Sequence, residues 1–134
     1  MAVIIPDSAR VTIVNEFFQG AVFLELFRND VYPGLDDVFS DYQSLGVPFQ
    51  TLGFGDWTIP SPGAQGEIRA TATPKVFSTS SNYLVGIPIY GYYVYESAFT
   101  GGINLLWAER VDAGPFIIPA PTTTITVILN LLFQ

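Results

Sequence analysis

Nearly all the residues able to carry out acid–base or metal chemistry in this sequence are carboxylates. The 134-residue chain contains 12 Asp and Glu residues but no histidine and no cysteine. A histidine general base, a cysteine nucleophile and an ordinary zinc site are therefore excluded. A pair of carboxylates facing each other across a cleft, as in glycosidases, is the catalytic arrangement that remains. We expect no catalytic residue, no cofactor and no metal ion, and predict that the protein is not an enzyme.

The densest cluster of carboxylates is formed by Asp36, Asp37 and Asp41. Ca²⁺ prefers such oxygen ligands, but the spacing is not that of an EF-hand loop, and we favour a capped, solvated turn. Residues 53–57 are glycine-rich like a phosphate-binding loop. They lack the Lys-Ser/Thr pair and a following helix, so we interpret them as a turn between two strands.

Charge and hydropathy exclude two classes of partner and favour a third. Five Lys and Arg residues against 12 acidic ones give a net charge of −7, which leaves no basic surface for nucleic acid. The longest apolar runs, residues 21–27 and 127–133, fall short of the roughly 18 residues that span a membrane. The N-terminus lacks a basic region and its apolar stretch is short, so we expect no signal peptide and synthesis in the cytoplasm. Charged residues are only 13% of the chain, so either Ser, Thr, Asn and Gln cover the surface or a partner does, and we predict a homo-oligomer, a dimer or trimer.

The pattern of elements predicts a mainly β fold. A short helix capped by Asp7 or Ser8 and ended by Gly20 is expected, followed by a helical turn over residues 35–39. Short apolar or alternating segments separated by Pro and Gly predict an antiparallel β-sandwich or jelly roll with one or two short helices. We expect one domain over residues 1–134, with a short N-terminal segment and an apolar C-terminal strand covered on both sides. The predicted strands are residues 22–28, 47–52, 57–59, 67–73, 75–78, 87–95, 105–111 and 123–133.

Aromatic residues are concentrated in two of these strands. Tyr90, Tyr92, Tyr93 and Tyr95 lie on one of them and Trp107 lies on another. Alternate members are expected to pack in the core, and a protein interface or a sugar-stacking platform remain as alternatives. Trp107 is flanked by apolar residues and is predicted to be buried.

Several segments together resemble a family of small virion proteins of tailed phages. The most specific are Ile-Tyr-Gly-Tyr-Tyr-Val at residues 89–94 and Leu-Leu-Trp-Ala-Glu-Arg at residues 105–110. Leu-Phe-Arg-Asn at residues 26–29, the Asp-Trp pair at residues 56–57 and the Thr-rich residues 122–129 add to the resemblance. The resemblance implies a non-enzymatic capsid decoration (cement) protein on the virion surface. Its partners would be the major capsid protein of a phage and further copies of itself.

The two ends of the chain are the predicted contact segments with the capsid. Both are apolar: Val3, Ile4 and Ile5 precede Pro6, and Leu131, Leu132 and Phe133 follow the clear alternation of the last strand. The alternative is that both ends add edge pairing to the sheets. For the protein as a whole, the alternative function is a receptor- or glycan-binding module of the phage tail that uses exposed Tyr and Trp side chains.

Overall fold

A computed structural model describes residues 6–59, 68–79, 84–97 and 101–133. It confirms the mainly β fold class, with 42% strand and 15% helical residues, and its antiparallel sheets are consistent with a β-sandwich. The helical elements are α1 (Asp7–Phe17) and two 3₁₀ turns, Phe39–Asp41 and Phe54–Asp56. The strands are β1 (Val22–Phe27), β2 (Gln50–Leu52), β3 (Trp57–Thr58), β4 (Ile68–Ala72), β5 (Lys75–Ser78), β6 (Pro88–Ile89), β7 (Gly91–Ser97), β8 (Ile103–Arg110), β9 (Phe116–Ile117), β10 (Thr124–Val127) and β11 (Asn130–Phe133).

The chain divides into two compact units, of which the first comprises residues 1–21, 52–75 and 127–134. Its described part contains α1 and an antiparallel sheet in the order β11-β4-β3. The N-cap residue of α1 is Pro6, not Asp7 or Ser8 as predicted. Its carbonyl accepts the first helical hydrogen bond, from the Arg10 amide at 3.0 Å, but its side chain has no oxygen that could cap the free N–H groups. Phe18, just after α1, is buried and its ring centroid lies 4.1 Å from that of Trp57. This aromatic contact joins the helix end to strand β3.

The second unit comprises residues 22–51 and 76–126. Its largest sheet has the order β2-β1-β7-β8, in which β1 and β8 both pair with β7 in antiparallel orientation. Residues 91–95 of the central strand β7 are all buried, which explains why this strand is rich in large side chains on both faces. Two smaller strand pairs, β5 with β10 and β6 with β9, complete the described sheets.

Two predicted strands are each divided in the structure. The predicted strand over residues 87–95 is interrupted at Tyr90, between β6 and β7. The predicted last strand is interrupted between β10 and β11, because β10 pairs with β5 whereas β11 pairs with β4. Ile128, at this interruption, is 66% exposed. The prediction of one long C-terminal strand covered on both sides is therefore wrong.

Two smaller expectations also differ from the structure. The helical turn expected over residues 35–39 lies further along, at Phe39–Asp41. Trp107 is partly exposed rather than buried, because β8 lies at an edge of its sheet and lacks a neighbouring strand on one side among the described residues.

Candidate functional site

One face of the four-stranded sheet carries a layer of aromatic rings. Strand register places Phe27 and Tyr93 on this face. The segment around the first 3₁₀ turn adds Phe39 and Tyr42 on top of it. The Tyr42 and Tyr93 rings are stacked with centroids 5.3 Å apart, and Phe39 meets Tyr95 edge-on at 4.8 Å. The tyrosines of β7 on this face are thus core residues, as the alternation predicted, and do not form a sugar-stacking platform.

The carboxylate of Glu25 lies on the same face as these rings. Its oxygens accept hydrogen bonds from the hydroxyls of Tyr93 and Ser44, both at 3.0 Å. Burial, together with the nearby Glu25 charge, raises the pKa values of Tyr93 and Tyr95. Both tyrosines therefore stay protonated at neutral pH and act as hydrogen-bond donors. This network orders the aromatic layer. It contains one carboxylate, whereas hydrolysis of a glycosidic bond by a carboxylate pair needs two.

The acidic cluster closes a turn. The Asp37 carboxylate accepts hydrogen bonds from the Gly34 amide at 2.9 Å and the Tyr42 hydroxyl at 2.7 Å. The hydrogen bond from Tyr42, and then that from Gly34, lowers the pKa of Asp37. Asp41 accepts from the Val38 amide at 2.8 Å. These bonds agree with the capped-turn interpretation, and the described residues include no group of three His, Cys, Asp or Glu residues placed to hold a metal ion.

The glycine-rich segment is a turn between two strands, as predicted. The turn is held by the side chain of its own aspartate. The Asp56 carboxylate accepts a hydrogen bond from the Gly53 amide at 2.8 Å and lies 3.0 Å from the Lys75 ammonium. Burial opposes ionisation of Asp56, but these two partners outweigh it and lower its pKa. Lys75 is the only lysine in the sequence, and its ammonium is held in this ion pair.

A loop with exposed apolar side chains follows strand β1. Leu35 is fully exposed, Tyr32 is 74% exposed and Val38 is more than half exposed. Together with Pro33 these residues form what we call the apolar loop, residues 32–38. Apolar side chains that are exposed next to one another in this way are typical of a surface that binds a partner.

Arg110 holds the start of the apolar loop against the end of strand β8. Its guanidinium lies 2.7 Å from the Asp30 carboxylate and donates to the Val31 carbonyl at 3.0 Å. The same group stacks 3.9 Å from the ring centroid of Tyr32 and 4.8 Å from that of Tyr90. Such cation–π contacts add to the ion pair. The exposed side chains therefore project from a fixed backbone.

The apolar loop and strand β8 together border a groove of about 410 Å³. Residues 105–108 of β8 line one wall. Pro33, Gly34, Leu35, Asp37 and Tyr42 line the remainder. Sequence reasoning missed this groove, since the residues on its two walls are about 70 positions apart. The only signals available were the turn residues after β1 and the alternation in β8, and neither reveals that the two segments meet.

The predicted contact residues at the chain ends are only partly covered by the structure. Val3, Ile4 and Ile5 lie outside the described residues. In strand β11, Leu131 pairs with Ala70, Leu132 with Arg69 and Phe133 with Ile68. Leu131 is partly buried and Leu132 is 44% exposed. The C-terminal segment thus adds edge pairing to a sheet, and its role in contacting a partner stays a prediction.

Comparison of the chain with protein-family models, curated proteins and solved structures finds no match. Within the part of the chain that the structure describes, no helix has the length and hydropathy required to cross a membrane.

Proposed function

We propose that this protein is a non-enzymatic structural component of a virion, a capsid decoration protein that binds the major capsid protein of a phage and stabilises the shell. The observation that supports this proposal most is the apolar loop. Tyr32 is held by the Arg110 guanidinium, and Leu35 lies in the turn closed by the Gly34–Asp37 hydrogen bond; both side chains stay exposed although burying them would be favourable. A fixed apolar surface of this kind suits a protein whose role is to cover and join other subunits.

The chemistry of the described residues supports a binding role over catalysis. The carboxylates of Glu25, Asp37, Asp41 and Asp56 accept hydrogen bonds within turns or from tyrosines whose pKa values are raised. A groove bordered by an edge strand and apolar side chains is suited to holding a partner. Localisation on the capsid surface and self-association into a dimer or trimer belong to the same proposal.

Capsid occupancy of two matched variants tests the proposal. Leu35→Asp changes a fully exposed leucine, and Ile128→Asp changes an isoleucine that is 66% exposed and does not line the groove. Added back to particles that lack the protein, Leu35→Asp should occupy the capsid at least about ten-fold less well, because burial of a leucine at the interface is lost. Ile128→Asp should bind like the unmodified protein.

The behaviour of particles lacking the protein separates the proposal from its alternative. We expect such particles to assemble but to lose DNA at a lower temperature or under osmotic shock. The exposed Tyr32 ring favours the alternative, a receptor- or glycan-binding module of the tail, since sugars stack on exposed aromatic rings. Particles that keep full capsid stability but no longer adsorb to host cells would replace the decoration proposal with this alternative.

A further inference from the structure

Strand β8 forms one edge of the four-stranded sheet, and among the described residues it pairs with β7 alone. Just after β8, the Val111 amide donates to the Tyr90 carbonyl at 2.8 Å, so the backbone groups of Val111 point toward the neighbouring chain segment. Inward and outward backbone groups alternate along an antiparallel strand, so the N–H and C=O of Ala108 point away from β7. An edge of this kind is a template for one more strand.

The groove described above runs along this edge. One wall consists of consecutive residues of β8, including Ala108, and the opposite wall includes the exposed side chain of Leu35. Its volume, about 410 Å³, lies within the range of binding pockets for small ligands. A groove with backbone groups on one wall and apolar side chains on the other fits an extended peptide, which adds to the sheet through its main chain.

The charge of the groove selects among extended peptides. The Asp37 carboxylate lines it, and the described lining residues include no Lys or Arg. Asp36, beside Asp37, is exposed. The chain as a whole has a net charge of −7. A segment carrying Lys or Arg therefore complements this edge, whereas an acidic segment is repelled.

A bulge in β8 argues against a second copy of this chain as the occupant. Val94 pairs with Trp107 but Tyr95 pairs with Leu105, so Leu106 is an extra residue near the middle of the strand. Two copies of β8 related by a twofold axis through the strand centre would bring both bulges together at the axis. Bulges disrupt regular pairing and protect edges from self-association. A separate, short extended segment can pair with residues 107–110, which lie on one side of the bulge and include Ala108, without this conflict.

We propose that the groove beside β8 binds an extended segment of a partner protein as an added β-strand, with apolar side chains against Leu35 and a Lys or Arg side chain near Asp37. Only the identity of the partner rests on the proposed function: if the protein decorates a capsid, the added strand is an extended arm of the capsid protein.

Titration of the full 134-residue protein with synthetic peptides, followed by amide NMR shifts, tests this inference. The probe is an acetylated and amidated Val-Lys-Val-Lys-Val peptide. One control has Glu in place of Lys, and a second has the same side chains but N-methylated backbone amides. We expect the Lys peptide to shift the amides of Ala108 and its β8 neighbours. Both controls should bind at least about ten-fold more weakly, since each removes either charge complementarity or strand hydrogen bonds.

Three results would overturn the inference. One is the absence of β8 shifts at millimolar Lys peptide. Another is equal binding of the N-methylated peptide, which would indicate side-chain contact without strand addition. The third is a concentration-dependent dimer with protected β8 amides, which would make a second copy the occupant. The peptide titration contains no capsid protein, so its failure is distinguishable from failure of the decoration proposal.

Discussion

Substitution of Gly91 by alanine adds only one methyl group but should destabilise the protein strongly. Gly91 begins strand β7, opposite Phe27 on one side and Arg110 on the other. A Cβ atom at this position would clash with the Glu109 carbonyl oxygen and would lie 2.9 Å from the Arg110 Cα and 2.8 Å from the Phe27 ring. Two of these three neighbours are backbone atoms of β8, so the methyl group cannot be accommodated by rotating one side chain.

The expected cost follows from what must move. Overpacking a tight site costs about 1–3 kcal/mol when side chains can adjust. Here β8 must shift away from β7, so we expect a loss of about 3 kcal/mol or more in the free energy of unfolding. This is a large share of the roughly 5–15 kcal/mol that stabilises a typical domain. The shift would also displace Arg110 and thereby loosen the start of the apolar loop.

Urea unfolding of Gly91→Ala beside Gly102→Ala provides the measurement. Apart from its chain neighbours, no described residue lies within 4 Å of the place that an added Cβ would take at Gly102, so its alanine variant should stay within about 0.5 kcal/mol of the unmodified protein. A loss below about 1 kcal/mol for Gly91→Ala would refute the close approach of β7 and β8 at this position.

Two further predictions concern the loop anchor and the buried tyrosines. Arg110→Ala should lower the free energy of unfolding by about 2 kcal/mol, mostly through the charge-assisted hydrogen bond to Val31, since the Asp30 partner is largely exposed. Urea unfolding checks this against Arg69→Ala, an exposed contact that should change little, and equal effects would contradict it. Burial raises the pKa of four tyrosines above the ordinary 10.0, so the folded state holds their protons more tightly than the unfolded state. The contribution of these tyrosines to stability should therefore be constant from neutral pH to about pH 10 and fall above it. Their phenolate absorbance should appear only on unfolding, and early, reversible titration of all seven tyrosines in the folded protein would contradict this. The four are Tyr42, Tyr92, Tyr93 and Tyr95.

The elements that the sequence predicted well are those set by local patterns. Strand β5 has the predicted bounds, and α1 and β1 lie within their predicted ranges, because apolar periodicity and nearby Pro or Gly residues determine them. The interruption between β10 and β11 was not predictable in this way. Residues 127–133 contain neither Pro nor Gly, and the strand is divided only because its partner changes from β5 to β4.

The groove lay beyond sequence reasoning for a similar reason. Its wall in β8 was predicted as a strand, and Asn29-Asp30 and Pro33-Gly34 after β1 are residue pairs typical of turns. What joins them is the Arg110 contact with Asp30 and Val31, which spans about 80 positions in the sequence. Nothing in the alternation of β8 distinguishes an arginine that anchors a distant loop from one that is solvated.

The way in which the apolar loop is held explains why its exposure favours binding. Arg110 fixes its start through Asp30 and Val31, and Asp37 fixes its later part through Gly34 and the Tyr42 hydroxyl. A mobile loop would lose conformational entropy when a partner covered it, which offsets much of the gain from burial. Since this loop is already ordered, a partner that covers Leu35 gains about 1.5–3 kcal/mol with little of that cost. The internal hydrogen bonds of the acidic turn thus lower the entropic cost of binding a partner at the apolar loop.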